Sequence, residues 1–79
     1  MKSREFVIGT VSNVKEFVNI TCKYIEDIDL VKGRYIVDAK SIMGIFSLDL
    51  SQPISVCIYT DDEVRAEEFF KEVETALRG

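Results

Sequence analysis

A chain of 79 residues, 47% apolar and 30% charged, is long enough to form one hydrophobic core, and its composition is that of a globular domain rather than a disordered or fibrous one. Its net charge of −4, with the basic residues scattered, excludes a nucleic-acid ligand, because phosphate backbones are held by grouped Lys and Arg. The absence of histidine removes the commonest general base, the commonest metal ligand and every phosphohistidine mechanism.

The two cysteines, Cys22 and Cys57, stand far apart in no metal-ligand spacing. They are expected to be small semi-buried thiols, with a disulfide as the alternative, and neither a metal nor a cofactor is expected. No apolar run approaches the roughly 20 residues that span a bilayer. The basic start "MKSREFVIGT" has too short an apolar stretch for a signal peptide, so a cytoplasmic, non-membrane protein is expected.

Taken in chain order, the β-rich "REFVI" ahead of Gly9 predicts a first strand. Val14, Phe17, Val18 and Thr21 then fall at helical spacing, with Val11 and Ile25 extending the stripe. Ser12 or Asn13 caps that helix in this reading, and Asn13-x-x-Glu16 has the form of a capping box with Asn in place of Ser or Thr. "DIDLV" alternates Ile28 and Leu30 with acids, as a half-buried strand does. Lys32-Gly33 makes a hairpin turn, and "RYIVDA" returns as the third strand.

In "KSIMGIFSLDL", Gly44 weakens the helix, so a short one of about two turns is expected, with Ser41 at its N-terminal end. Gln52-Pro53 marks a loop, and "ISVCIYT" alternates Ile54, Val56 and Ile58 as the fourth strand. "TDDEVRAEEFFKEVETAL" is the clearest helix. It has Thr60-x-x-Glu63 as a capping box, acids in the first turn, and an apolar stripe at Val64, Ala66, Phe69, Phe70, Val73, Ala76 and Leu77, with Arg78-Gly79 at its close. The order β-α-β-β-α-β-α over residues 1–79 predicts a single α+β domain, an open sandwich with all helices on one face of one sheet. Ser55, Cys57 and Tyr59 fall on the other face, where they fit either scattered surface positions or a dimer contact.

The segment "DAKSIMGIFSLDL" (Asp38–Leu50), together with "EFVNITCKYIEDIDL", resembles HPr, the histidine-containing phosphocarrier family of the bacterial sugar phosphotransferase system (PTS). The resemblance implies three helices packed on one face of a four-stranded antiparallel sheet. In that family phosphate rides on a histidine at the start of the first helix, within a Gly-x-His-x-Arg-Pro-type loop. Imidazole suits the task because it is nucleophilic near neutral pH and forms a labile phosphoramidate. The matching segment here, "GTVSNVKEF", contains no His, Arg or Pro, and the path from strand one to the helix is shorter than the family's. Phosphohistidine carriage is therefore excluded, and in this respect the chain is similar to catabolite-repression HPr.

What the resemblance retains is Ser41. It matches a second-helix serine that, in low-GC Gram-positive bacteria, is phosphorylated by an HPr serine kinase and then docks on a transcription regulator. The expectation is a non-enzymatic regulatory or adaptor protein, monomeric or weakly dimeric. It would bind a protein partner through Lys40, Ile42, Met43 and Phe46 and be regulated by phosphorylation at Ser41. Plain capping by Ser41 is compatible with that role, whereas core filling by Ile42, Met43 and Phe46 competes with it. Thr10, Ser12 and Asn13 offer a weak anion site at the first helix's N-terminus, with ordinary capping as the alternative. The alternative function is a self-associating or degenerate HPr-fold protein without a phosphotransfer role. A third reading, phosphate carriage on Cys22 or Thr10, is disfavoured because Thr10 lacks a neighbouring base and Cys22 falls about ten residues into the first helix, far from its anion-binding end.

Overall fold

Alternation of Ile54, Val56 and Ile58 with Ser55 and Cys57 requires one side of the fourth strand to be covered. In the computed structural model, which describes residues 1–78, all three helices lie on that side. The order is β1 (Lys2–Phe6), α1 (Val11–Thr21), β2 (Ile28–Lys32), β3 (Tyr35–Asp38), α2 (Ile42–Phe46), β4 (Ile54–Ile58) and α3 (Glu63–Arg78). The four strands form one sheet in the order β1-β4-β2-β3, with every neighbouring pair antiparallel. This is the α+β open-faced sandwich that the resemblance implied.

Register explains the layering. Phe6 lies opposite Ile54, Leu30 opposite Val56 and Ile28 opposite Ile58, so the apolar members of three strands share one face. Val14, Phe17 and Ile20 of α1, Ile45 of α2, and Ala66, Phe69, Phe70 and Val73 of α3 close over that face and complete the core. The Tyr24 ring meets Phe69 edge-on at 5.1 Å, a favourable arrangement for the aromatic quadrupoles.

Helix starts differ from the sequence expectations. Thr10, not Ser12 or Asn13, caps α1, accepting the Asn13 backbone N–H at 3.1 Å. Gly9, with φ +86°, lets the chain reverse just ahead of that cap. Asp62, not Thr60, caps α3, its Oδ1 accepting from the backbone N–H groups of Val64 (3.0 Å) and Arg65 (3.1 Å). Thr60 instead accepts the Asp62 N–H, so only Glu63 is acidic within the first turn. Short polar side chains recur near both starts, and the direction in which the chain enters the helix selects among them.

The helical stripes are also narrower than expected. Val11, Ile25 and Val64 are exposed, because each lies at or beyond the end of its helix, past the reach of the opposing layer. Gly33 (φ +59°) and Arg34 form the hairpin turn, one position later than the expected Lys32-Gly33, and α2 is five residues rather than two full turns. Arg78 ends α3; the expected terminal role of Gly79 lies outside the described residues. Both thiols are free, but neither is half-buried: Cys22 is exposed and Cys57 is buried. Burial of Cys57, whose thiol is pushed up by desolvation and then by the Asp29 carboxylate, removes it from any contact surface on the open face.

One polar cluster was invisible in the sequence. Arg65 of α3 pairs with Glu26, and its guanidinium carbon stands 4.8 Å from the Tyr24 ring centroid. Tyr24 donates its hydroxyl to Glu72 (2.6 Å), which also pairs with Lys23. Burial and then the Glu72 carboxylate raise the Tyr24 phenol to about 12. The Arg65 hydrogen bond holds Glu26 below the ordinary carboxylate range despite opposing desolvation, and Lys23 and Tyr24 do the same for Glu72.

Because both carboxylates are depressed in the folded state, their contribution is complete above the unfolded carboxylate value of roughly 4.3 and declines as pH falls toward the folded values. Urea unfolding at neutral and acid pH tests this. Glu26→Gln is expected to be less stable than wild type at neutral pH, with the gap closing on acidification. A gap independent of pH would show that the Glu26 charge contributes nothing.

Candidate functional site: the exposed face of the second helix

Where α2 begins is set by a compact turn. The Asp38 carboxylate accepts the Lys40 backbone N–H (2.8 Å), and Ser41 N–H donates to the Asp38 carbonyl (3.0 Å). Ser41 then caps the helix in the way its sequence position predicts, its Oγ accepting from Gly44 N–H at 3.3 Å. Gly44 faces β3, where a Cβ would meet the Ser41 Oγ and the Val37 Cβ at 3.4 Å, ordinary contact. The fully buried Thr21 hydroxyl lies between two acceptors, Val18 O at 2.9 Å and Ala39 O at 3.2 Å, and donation to the second joins α1 to the turn.

A single side chain anchors the helix. Ile45 is completely buried, with Leu48 and Leu50 packed partly against the same core. The other apolar side chains divide. Ile42 is half-buried against the core, Met43 is 77% exposed and Phe46 41% exposed. Core filling therefore accounts for Ile42 in part and for Met43 not at all. Ser41 is exposed, so its hydroxyl is open to solvent beside Met43.

Lys40, expected among the partner-binding residues, is half-buried, and its ammonium donates to the Tyr24 carbonyl at 2.6 Å, tying the turn to the end of α1. The sequence held no signal for this, since the partners are 16 positions apart. Ser47 was also missed; its hydroxyl donates to the Gly44 carbonyl and closes α2.

At the start of α1, the polar groups are already occupied. Thr10 caps, Asn13 Nδ2 donates to Ile8 O at 2.8 Å, and only Ser12 points no hydrogen bond into the protein among the described residues. Neither Thr10 nor Ser12 has a titratable side chain as a hydrogen-bond partner. Gly9 N–H donates to Leu50 O (2.9 Å), fastening this loop to the segment after α2. Cys22 caps the opposite end of α1, about 18 Å from Thr10 at helical rise, so the two cannot share one phosphate site.

Asp27, Asp29, Asp38, Lys40 and Tyr59 line a shallow depression. Tyr59 is raised above its ordinary value, first by its hydrogen bond to Asp29. Among the described residues no group of His, Cys, Asp and Glu is arranged to hold a metal ion, and no helix is long and apolar enough to cross a membrane.

The family model for the PTS HPr component phosphorylation site matches residues 12–78. The chain belongs to the HPr family.

Solved structures agree. HPr-C-His from Thermoanaerobacter tengcongensis is 29% identical over 100% of this chain and 98% of its own, with a TM-score of 0.79. An HPr dimer from the same organism is 29% identical over 100% and 99% of the two chains, with a TM-score of 0.67. Crh, the Bacillus subtilis catabolite repression containing protein, is 27% identical over 90% of this chain and 86% of its own, with a TM-score of 0.65; its structure is described as a swapped-domain dimer. No curated protein sequence matches significantly. In this HPr-family chain no histidine is available at any position.

Three substitutions separate the roles within α2. Ile45→Ala is expected to cost about 2–5 kcal/mol by leaving a cavity. Ser41→Ala should cost about 0.5–1 kcal/mol through loss of an exposed cap, and Met43→Ala should stay within about 0.5 kcal/mol of wild type. Denaturant midpoints measure all three. A large loss from Met43→Ala would return that side chain to the core.

Proposed function

We propose that this protein is a regulatory or adaptor member of the HPr family that docks a protein partner on α2 and is controlled by phosphorylation of Ser41. The observation that carries the reading is the pairing of an exposed Ser41 hydroxyl with Met43, 77% exposed on the same short helix. A flexible thioether and the edge of Phe46 form an adaptable apolar contact, with Ile42 supporting them from below. The protein works in the cytoplasm and catalyses nothing itself, because it has no imidazole to take up phosphate and no base beside Thr10 or Ser12.

Transfer of the ATP γ-phosphoryl group to Ser41 Oγ would add about −1.5 to −2 charges at neutral pH. The first backbone N–H groups of α2 lack intrahelical acceptors, so the ester oxygens can be accommodated without melting the helix. Lys40 stays held on Tyr24 O and acts as a fixed positive neighbour. The modification then works by altering what the apolar patch is framed by, rather than by unfolding it. Partners of this chemistry are an HPr serine kinase and a transcription regulator that reads the phosphorylated surface.

Incubation with ATP and an HPr serine kinase should add one phosphate by intact mass in the wild type and none in Ser41→Ala. Phosphate absent from both would remove the regulatory half of the proposal. Calorimetric titration of the phosphorylated protein with a transcription regulator that docks HPr tests the other half. Met43→Asp is expected to weaken binding by tenfold or more, about 1.4 kcal/mol, with unchanged thermal unfolding. Undiminished binding would place the contact elsewhere.

A further inference from the structure

The turn from Asp38 to Ser41 decides where the Ser41 hydroxyl stands, because α2 cannot hold its own start. Five residues with a central glycine fall short of a self-sustaining helix. Within the turn, Lys40 N–H meets the Asp38 carboxylate and Ser41 N–H the Asp38 carbonyl. Those bonds keep the turn's shape but not its place on the protein.

Its place is set by ties to other elements. Ala39 N–H donates to Ile28 O of β2, the Thr21 hydroxyl reaches Ala39 O from α1, and the Lys40 ammonium donates to Tyr24 O at 2.6 Å. The first two hold Ala39. The third is made by the residue directly before Ser41.

Tyr24 is itself a fixed point. It is buried, its ring lies edge-on to Phe69 at 5.1 Å, and its hydroxyl donates to Glu72 at 2.6 Å, so α3 holds it from the other side. The ammonium also stands where a cation is favoured, at the C-terminal end of α1, the negative end of that helix dipole. Glu26 adds to the attraction. Its carboxyl is held below the ordinary range first by the Arg65 hydrogen bond and also by the Lys40 charge, and its Oε1 is buried with no hydrogen-bond partner.

We propose that Lys40 is a positioning residue, which fixes the Ser41 hydroxyl for phosphoryl transfer by clamping the turn onto the end of α1 and touches neither the kinase nor the regulator. The proposal rests on the reading of Ser41 as the modified residue. An ammonium engaged on Tyr24 O is not free to meet a partner's acids. A clamped turn instead spares the kinase the ordering of the segment it must grip, and it presents the hydroxyl in one place rather than several.

Lys40→Met keeps the apolar stem and removes the donor. Amide hydrogen exchange at Ser41 and Gly44, followed by NMR, should quicken at least about fivefold, with Leu30 and Val56 in the sheet unchanged. Phosphorylation of Ser41 by ATP and an HPr serine kinase should fall about tenfold in kcat/KM. Lys40→Arg, which retains a donor able to reach Tyr24 O, should restore both. Unchanged exchange in Lys40→Met would overturn the proposal; combined with slower phosphorylation, it would make Lys40 a kinase contact. Quickened exchange with phosphorylation at the wild-type rate would overturn it equally. A wild type that takes no phosphate would remove the proposed function instead, and the exchange measurement, which needs no kinase, would still decide the clamp.

Discussion

Burial of one side of β4 is the constraint on which the rest of the molecule depends. This strand pairs with β1 on one flank and β2 on the other, so Ile54, Val56 and Ile58 are surrounded laterally by Phe6, Leu30 and Ile28 and capped by Phe17 and Phe69 from above. Uncovering such a row would return it to water at a cost of roughly 25 cal/mol per Å² of apolar surface. No local hydrogen bond in the molecule competes with that. The helices are placed by this demand, and their termini adapt to it.

The α2 region shows the consequence. A five-residue helix with a glycine in its middle is not stable by propensity. It persists because Ile45 enters the core and because Asp38, Ser41 and Ser47 satisfy the backbone groups around it. With the anchoring done by one side chain and the caps, Met43 is left outside the core. Lys40, reaching across to Tyr24 O, fixes the entry to the helix against α1. The short helix is therefore held at its entry, its cap and its close by hydrogen bonds rather than by length.

The starts of α1 and α2 use their polar side chains differently. At the start of α1, Thr10 caps the helix and Asn13 bonds the Ile8 carbonyl, an ordinary helix N-terminus. At α2, by contrast, the hydroxyl of Ser41 is itself the cap. Folding by itself therefore requires a hydroxyl or a similar short acceptor at that position.

Element order, the inward rows of β2 and β4, and the stripe Ala66-Phe69-Phe70-Val73 were all legible in the sequence, because periodicities of 2 and 3.6 are properties of the chain itself. So was Ser41 as the cap of α2, and the missing imidazole. Helix starts were misplaced at Ser12 or Asn13 and at Thr60, since several capping residues stand in a row at each and only the entry path of the chain chooses Thr10 and Asp62. The extended stripes failed at Val11, Ile25 and Val64 because periodicity continues past the point where an opposing layer ends. Lys40 on Tyr24 O, Arg65 on Glu26 and Tyr24 on Glu72 join residues 16 to 48 positions apart, and no local pattern encodes such meetings. By itself the sequence determined which side chains must leave water and which chemistry is unavailable. Only the tertiary structure decided which polar groups meet and which apolar ones remain outside, because those outcomes depend on where one layer stops covering another.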